Sequence, residues 1–199
     1  MSPNTFAITG LPSSGTKWLA WVLNHAPGWT VEHEPNSHHE QPIKDVQPRF
    51  KRDRYGEVNS FLVWTINGLK VDKKGVILRD PRDVLISWYE RKGGKLPDRF
   101  FYRSAYAYQA IDWAIETGAK PLDFDKLTTD LAYLRAVAVH FTGCLDRELF
   151  TAKMQRHKMK SKRKGMISEY KDIDLATRYR WENVCGWFIE KHYSHALPA

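Results

Sequence analysis

The chain has 199 residues, enough to bury a continuous core without disulfides or bound metal, and we expect one domain over residues 1–199. Its 31 Lys and Arg against 23 Asp and Glu give a net charge of +8, which favours a phosphorylated or polyanionic partner. Two cysteines without a CxxC pair indicate neither a disulfide framework nor a zinc site, and the lack of a leader or a membrane-length apolar run leads us to expect a cytoplasmic protein.

The first predicted element is a strand, a loop and a helix in the stretch FAITGLPSSGTKWLAWVL, which begins at Phe6. Gly10 and Gly15 allow the backbone to turn tightly and to approach a ligand closely. The first N–H groups of the helix point at whatever the loop holds, so we expect an anion there. The glycine spacing matches the phosphate loop of nucleotide triphosphatases, but Thr16 precedes Lys17 instead of following it.

A second short strand is predicted at TVEHEP, with His33 and Glu34 at its carboxyl end. Ligands of open α/β sheets bind at that edge, so these side chains are candidates for function. Adjacent strand residues face opposite sides, and we therefore expect only one of the two to reach the site. Residues 36–59 are polar without clear periodicity and are predicted as a long loop, and FLVWTINGL is either a short helix or a strand.

Strand and helix patterns alternate through the rest of the chain. A β-branched run at 76–78 leads into an amphipathic helix that Gly93 and Gly94 end. A helix over 101–117, a strand at KPLDFDKL, a helix at DLAYLRAVAVHFTG and a packing helix within 170–193 follow. This order predicts an α/β fold with three layers, in which helices flank a central parallel sheet.

Four stretches, in one order, resemble the sulfotransferases that use 3′-phosphoadenosine 5′-phosphosulfate (PAPS) as donor. PSSGTKWL resembles their 5′-phosphosulfate loop, and RDPRDVLISWY, with Arg79 eight residues before Ser87, resembles their 3′-phosphate segment. LDFDKL resembles a strand with an aromatic residue beside the adenine, here Phe124. The run KRKGMISEY over 162–170 resembles the Arg-Lys-Gly segment that closes over the nucleotide. The resemblance implies a P-loop-like sulfotransferase fold.

The resemblance also implies an activity and a donor site. Sulfuryl transfer to a hydroxyl or amine of a small molecule or glycan would proceed by in-line attack, leaving adenosine 3′,5′-bisphosphate (PAP), with no metal, nucleic acid or membrane involved. The residues implied in donor binding are Ser13, Ser14, Gly15, Thr16, Lys17, Trp18, Arg79, Ser87, Phe124, Arg163, Lys164 and Gly165. Core packing is the alternative role for Trp18.

Two catalytic requirements remain. A general base must take the acceptor's proton, for which Glu34 is our first candidate and His33 our second. The family has Lys or Arg at the position of Ser13, and Lys17 is the nearest substitute in sequence for that missing charge. Two other readings stay open: a small-molecule or nucleotide kinase that requires Mg²⁺, and a non-catalytic relative that binds a nucleotide or, through the basic run at 153–164, nucleic acid.

Overall fold

The computed structural model describes residues 4–35, 42–143 and 169–193. Within these ranges a five-stranded sheet has the order β2-β3-β1-β4-β5, and all four neighbouring pairs are parallel. The strands are β1 (Thr5–Gly10), β2 (Thr30–Glu32), β3 (Tyr55–Val58), β4 (Lys73–Leu78) and β5 (Lys120–Asp123). The predicted α/β fold with a parallel sheet is confirmed.

Helices cover both faces of the sheet. They are α1 (Thr16–Leu23), α2 (Ile43–Val46), α3 (Pro81–Arg91), α4 (Asp98–Glu116), α5 (Phe124–Thr129), α6 (Leu131–Thr142) and α7 (Leu175–Tyr193). Strand side chains alternate between the faces, so Phe6 and Ile8 pack with α1 and α6, while Val76 packs with α3, α4 and α7. The predicted helices are therefore confirmed, with the tail helix beginning at Leu175.

The stretch after β2 differs from its prediction. The long loop predicted over 36–59 is wrong for its described part, which contains α2, a 3₁₀ turn at Gln47–Lys51 and the interior strand β3. The sequence did not predict this strand because it contains the polar residue Glu57. Glu57 is fully buried, where it accepts a hydrogen bond from Asn59 Nδ2 at 2.7 Å and lies 3.4 Å from Arg49 Nε. These partners let a carboxylate occupy an inner strand.

Two other segments are settled by local hydrogen bonds. FLVWTINGL is helical and not a strand, and it forms two short 3₁₀ turns at Ser60–Trp64 and Ile66–Gly68. Only the first half of KPLDFDKL is a strand, because the Asp123 side chain accepts the Lys126 N–H at 3.0 Å and starts α5. Phe124 therefore stands at the beginning of a helix.

Two sheet glycines are required by packing. A Cβ at Gly56 would overlap the ring of Phe6, and a Cβ at Gly75 would lie 2.6 Å from Cζ of Phe141. Because glycine has no side chain, each of these two strand positions leaves room for the aromatic ring packed against it. Among the described helices, none has the length and apolar character to cross a lipid bilayer.

Candidate functional site

The loop between β1 and α1 is shaped for close approach of a ligand. Its turn is closed by the hydrogen bond from Ser14 N to Leu11 O at 2.9 Å, and Gly15 has the left-handed φ of +83° directly before the helix. No side chain within the described ranges caps the N-terminus of α1, whereas Asp80 caps that of α3. The first N–H groups of α1 therefore remain available to an anion.

Arg79 follows β4 and lies against this loop. Its Nη1 donates a hydrogen bond to the carbonyl oxygen of Ser13, and its guanidinium carbon lies 4.9 Å from the ring centre of Phe124. The Phe124 ring in turn packs over Gly15, where a Cβ would lie 2.7 Å from its Cε2. The ends of β1, β4 and β5 thus bring together residues that are far apart in sequence.

Helix α3 contacts the same loop from another side. Trp88 Nε1 donates to the carbonyl oxygen of Pro12 at 3.2 Å, and Arg91 Nη2 donates to Oγ of Ser13 at 2.9 Å. Ser87 is half-buried one helical turn before Arg91. Arg91 was not predicted from the sequence, although its spacing of four residues from Ser87 places both side chains on one face of the helix and could have indicated it.

His33 and Glu34 meet at the N-terminus of α1. His33 Nε2 lies 3.3 Å from Thr16 Oγ1 and 3.5 Å from Glu34 Oε1, and Ser60 Oγ donates to the same carboxylate oxygen at 2.7 Å. Our expectation that only one of the two reaches the site assumed that both lie in a strand, and this assumption is wrong. Strand β2 ends at Glu32, and Glu34 has a φ of +49°, so the alternation of strand side chains does not extend to this pair.

Burial sets the protonation state of the imidazole. The pKa of His33 is lowered, mainly because burial disfavours the imidazolium; the Glu34 carboxylate raises it and the Lys17 ammonium lowers it further. Since the ordinary value is 6.5, His33 is neutral at pH 7. A neutral imidazole beside a helix N-terminus is able to accept a proton.

The remaining sequence-predicted residues have different surroundings. Lys17 is exposed on the first turn of α1, and Trp18 is half-buried against the apolar core, as in its alternative role. Ser14 Oγ and Trp18 Nε1 are buried and have no hydrogen-bond partner among the described residues. Arg163, Lys164 and Gly165 lie outside the described residues. Within 4–35, 42–143 and 169–193, no group of three His, Cys, Asp or Glu is arranged to hold a metal ion.

Comparison with known proteins gives a likeness among solved structures and none among sequences. No protein-family model matches the sequence, and no curated protein matches it. Among solved structures, the chain is similar to the mouse sulfotransferase SULT7A1 complexed with PAP, with a TM-score of 0.63 and 17% sequence identity. The alignment covers 98% of this chain and 89% of that one. The chain therefore has the α/β fold of this sulfotransferase, with a five-stranded parallel sheet between helices.

Proposed function

We propose that this protein is a sulfotransferase that transfers a sulfuryl group from PAPS to a hydroxyl or amine. The observation that carries the proposal is the convergence at one sheet edge of an uncapped helix N-terminus, the guanidinium of Arg79 and the neutral imidazole of His33. An anion site and a base are two of the requirements of this reaction. The fold shared with SULT7A1, solved with PAP, supports the same assignment.

We infer that different parts of the site would bind the two ends of such a donor. The backbone of Ser14, Gly15 and Thr16 would bind the 5′-phosphosulfate, since the left-handed Gly15 and the uncapped helix present N–H groups there. Arg79 and Ser87, with Arg163, Lys164 and Gly165, would bind the 3′-phosphate, and Phe124 and Trp18 would lie beside the adenine. The donor supplies a sulfuryl group joined to a phosphate leaving group.

We assign removal of the acceptor's proton to the pair His33 and Glu34. His33 is neutral and lies next to Thr16 at the helix N-terminus, so its Nε2 would take the proton. Glu34, 3.5 Å away, would stabilise the imidazolium that forms. The alternative, in which Glu34 is itself the base, is separated from this assignment by the pH dependence of the rate.

Ligand-dependent thermal stability tests the proposal without knowledge of the acceptor. PAP at about 100 times its Kd, with EDTA present, should stabilise the chain by about 2.7 kcal/mol, which raises Tm by roughly 5–10 °C. Arg79→Ala should reduce this shift strongly, whereas Arg99→Ala, which removes an exposed arginine of α4, should not. Stabilisation only by ATP with Mg²⁺ would support a kinase instead.

Two further measurements complete the test. A steeply salt-dependent affinity for DNA or RNA that is unaffected by Arg79→Ala would support the nucleic-acid-binding alternative. A panel of phenols, alcohols, amines and glycans incubated with radiolabelled PAPS should reveal the acceptor class. Stabilisation by PAP together with no transfer to any acceptor or to water would support a non-catalytic nucleotide-binding relative.

A further inference from the structure

The proposed reaction leaves one charge unaccounted for. The bond between sulfur and the bridging oxygen breaks as a bond from the acceptor oxygen or nitrogen to sulfur forms. The acceptor's proton goes to the base, and negative charge accumulates on the 5′-phosphate of PAP. A cation beside that phosphate would lower the barrier. The loop that would hold it has the neutral Ser13, where the resemblance to PAPS-dependent sulfotransferases implies a basic residue.

We propose that Arg91, from the last turn of α3, supplies this missing loop cation and binds the 5′ end of the donor. The inference rests on the proposed function. Arg91 Nη2 donates to Oγ of Ser13 at 2.9 Å, so the guanidinium lies at the side chain whose charge is absent. A guanidinium presents several N–H donors, so one bond to Ser13 leaves others for phosphate oxygens.

The position of Arg91 is fixed by its neighbours. Its guanidinium carbon lies 5.4 Å from the ring centre of Trp88, and Trp88 Nε1 is itself hydrogen-bonded to Pro12 O at 3.2 Å. Two consecutive loop residues, Pro12 and Ser13, are thus bound by two residues of α3 one turn apart. These contacts favour a position of the exposed Arg91 side chain at the loop without a ligand, which reduces the cost of ordering it on binding.

Two other cations near the loop fit the role less well. Lys17 and Arg91 are both exposed, but Lys17 lies beyond the loop on α1, where its charge lowers the pKa of His33. Arg79 donates to the main-chain carbonyl of Ser13 and lies over the ring of Phe124, and we have proposed it for the 3′-phosphate. Arg91 is the cation that contacts the Ser13 side chain.

Binding of three different nucleotides distinguishes the two ends of the donor site. We expect Arg91→Met to weaken binding of PAP and adenosine 5′-monophosphate about tenfold in calorimetric titrations, because each contains the 5′-phosphate. Binding of adenosine 3′-monophosphate should be unchanged. Arg79→Met should weaken binding of adenosine 3′-monophosphate and leave binding of adenosine 5′-monophosphate unchanged. Lys92→Met removes an adjacent charge that also lies near Trp88, 5.9 Å from its ring centre, and serves as the matched control with wild-type binding of all three.

Charge relocation gives a second test. Arg91→Lys should retain most of the affinity for PAP, and Ser13→Lys in the Arg91→Met background should restore it to within about threefold, together with the rate of transfer. Wild-type binding of PAP by Arg91→Met, equal loss of all three nucleotides, or the same loss in Lys92→Met would each overturn the assignment of Arg91. Failure of the wild-type chain to bind any of the three would instead overturn the proposed function, and this inference with it.

Discussion

Replacing Gly15 by alanine tests how the loop and α5 fit together. Two costs follow from the structure. The φ of +83° places an alanine in the left-handed region, which costs about 1–2 kcal/mol. The new Cβ would also lie 2.7 Å from Cε2 of Phe124, and relief of such an overlap costs about 1–3 kcal/mol. We therefore expect Gly15→Ala to lower the free energy of unfolding by about 2–5 kcal/mol and to weaken PAP binding.

Urea unfolding with a matched variant separates the two costs. Gly93 has a φ of +63°, and a Cβ added there would have no atom within 4 Å, so Gly93→Ala should show the backbone cost alone, about 1–2 kcal/mol. The difference between the variants then measures the overlap with Phe124. In a Phe124→Leu background, whose shorter side chain makes room, that difference should shrink. Equal destabilisation by Gly15→Ala and Gly93→Ala would refute the packing of Phe124 over the loop.

Three other predictions concern catalysis, pH and core packing. Glu34→Gln should lower kcat at least tenfold while changing PAP affinity less than about threefold, because Glu34 contacts His33 and Ser60 at the acceptor side; full retained turnover would reject its role. Since the pKa of His33 lies below 6.5, kcat/KM should be constant above pH 6.5 and should fall at lower pH as the imidazole is protonated, whereas a rate that does not fall until about pH 4 would indicate a carboxylate base. The free energy of unfolding should also decrease from pH 6.5 downward, because the unfolded chain binds the proton first. Gly56→Ala should lower the free energy of unfolding measured in urea by about 1–3 kcal/mol, because the new Cβ overlaps the ring of Phe6. Gly186→Ala lies inside α7 with no atom within 4 Å of the added Cβ and should raise it by about 0.5–1 kcal/mol. The opposite order would contradict the packing described.

The parts of the fold that were predictable have local signals. Short patterns of glycine and apolar residues predict the loop before α1 and the end of α3, because both features depend on residues a few positions apart. Strand β3 has no such signal, because its central Glu57 is acceptable only with Arg49 and Asn59 beside it. A strand whose stability depends on polar partners from other elements cannot be read from hydrophobic alternation.

The candidate site shows the same division. The sequence singled out His33, Glu34 and Arg79, which lie at ends of strands where ligands of α/β proteins bind. The predicted strand extended through His33 and Glu34, whereas β2 ends at Glu32, because the end of a short strand is uncertain by a residue or two. Arg91 was not predicted because the hydrogen bond to Ser13 joins positions 78 apart, a contact that depends on the direction of α3.

The strand order has a consequence for how the candidate site tolerates change. The chain leaves β1 toward β2 on one side and leaves β4 toward β5 on the other, so β1 and β4 form a topological switch point with a crevice at their carboxyl ends. That crevice arises from backbone topology and not from any one side chain. A charge needed in such a crevice can therefore come from any of the elements that line it, so the charge of the whole crevice is a better basis for comparing proteins of this topology than the sequence of one loop.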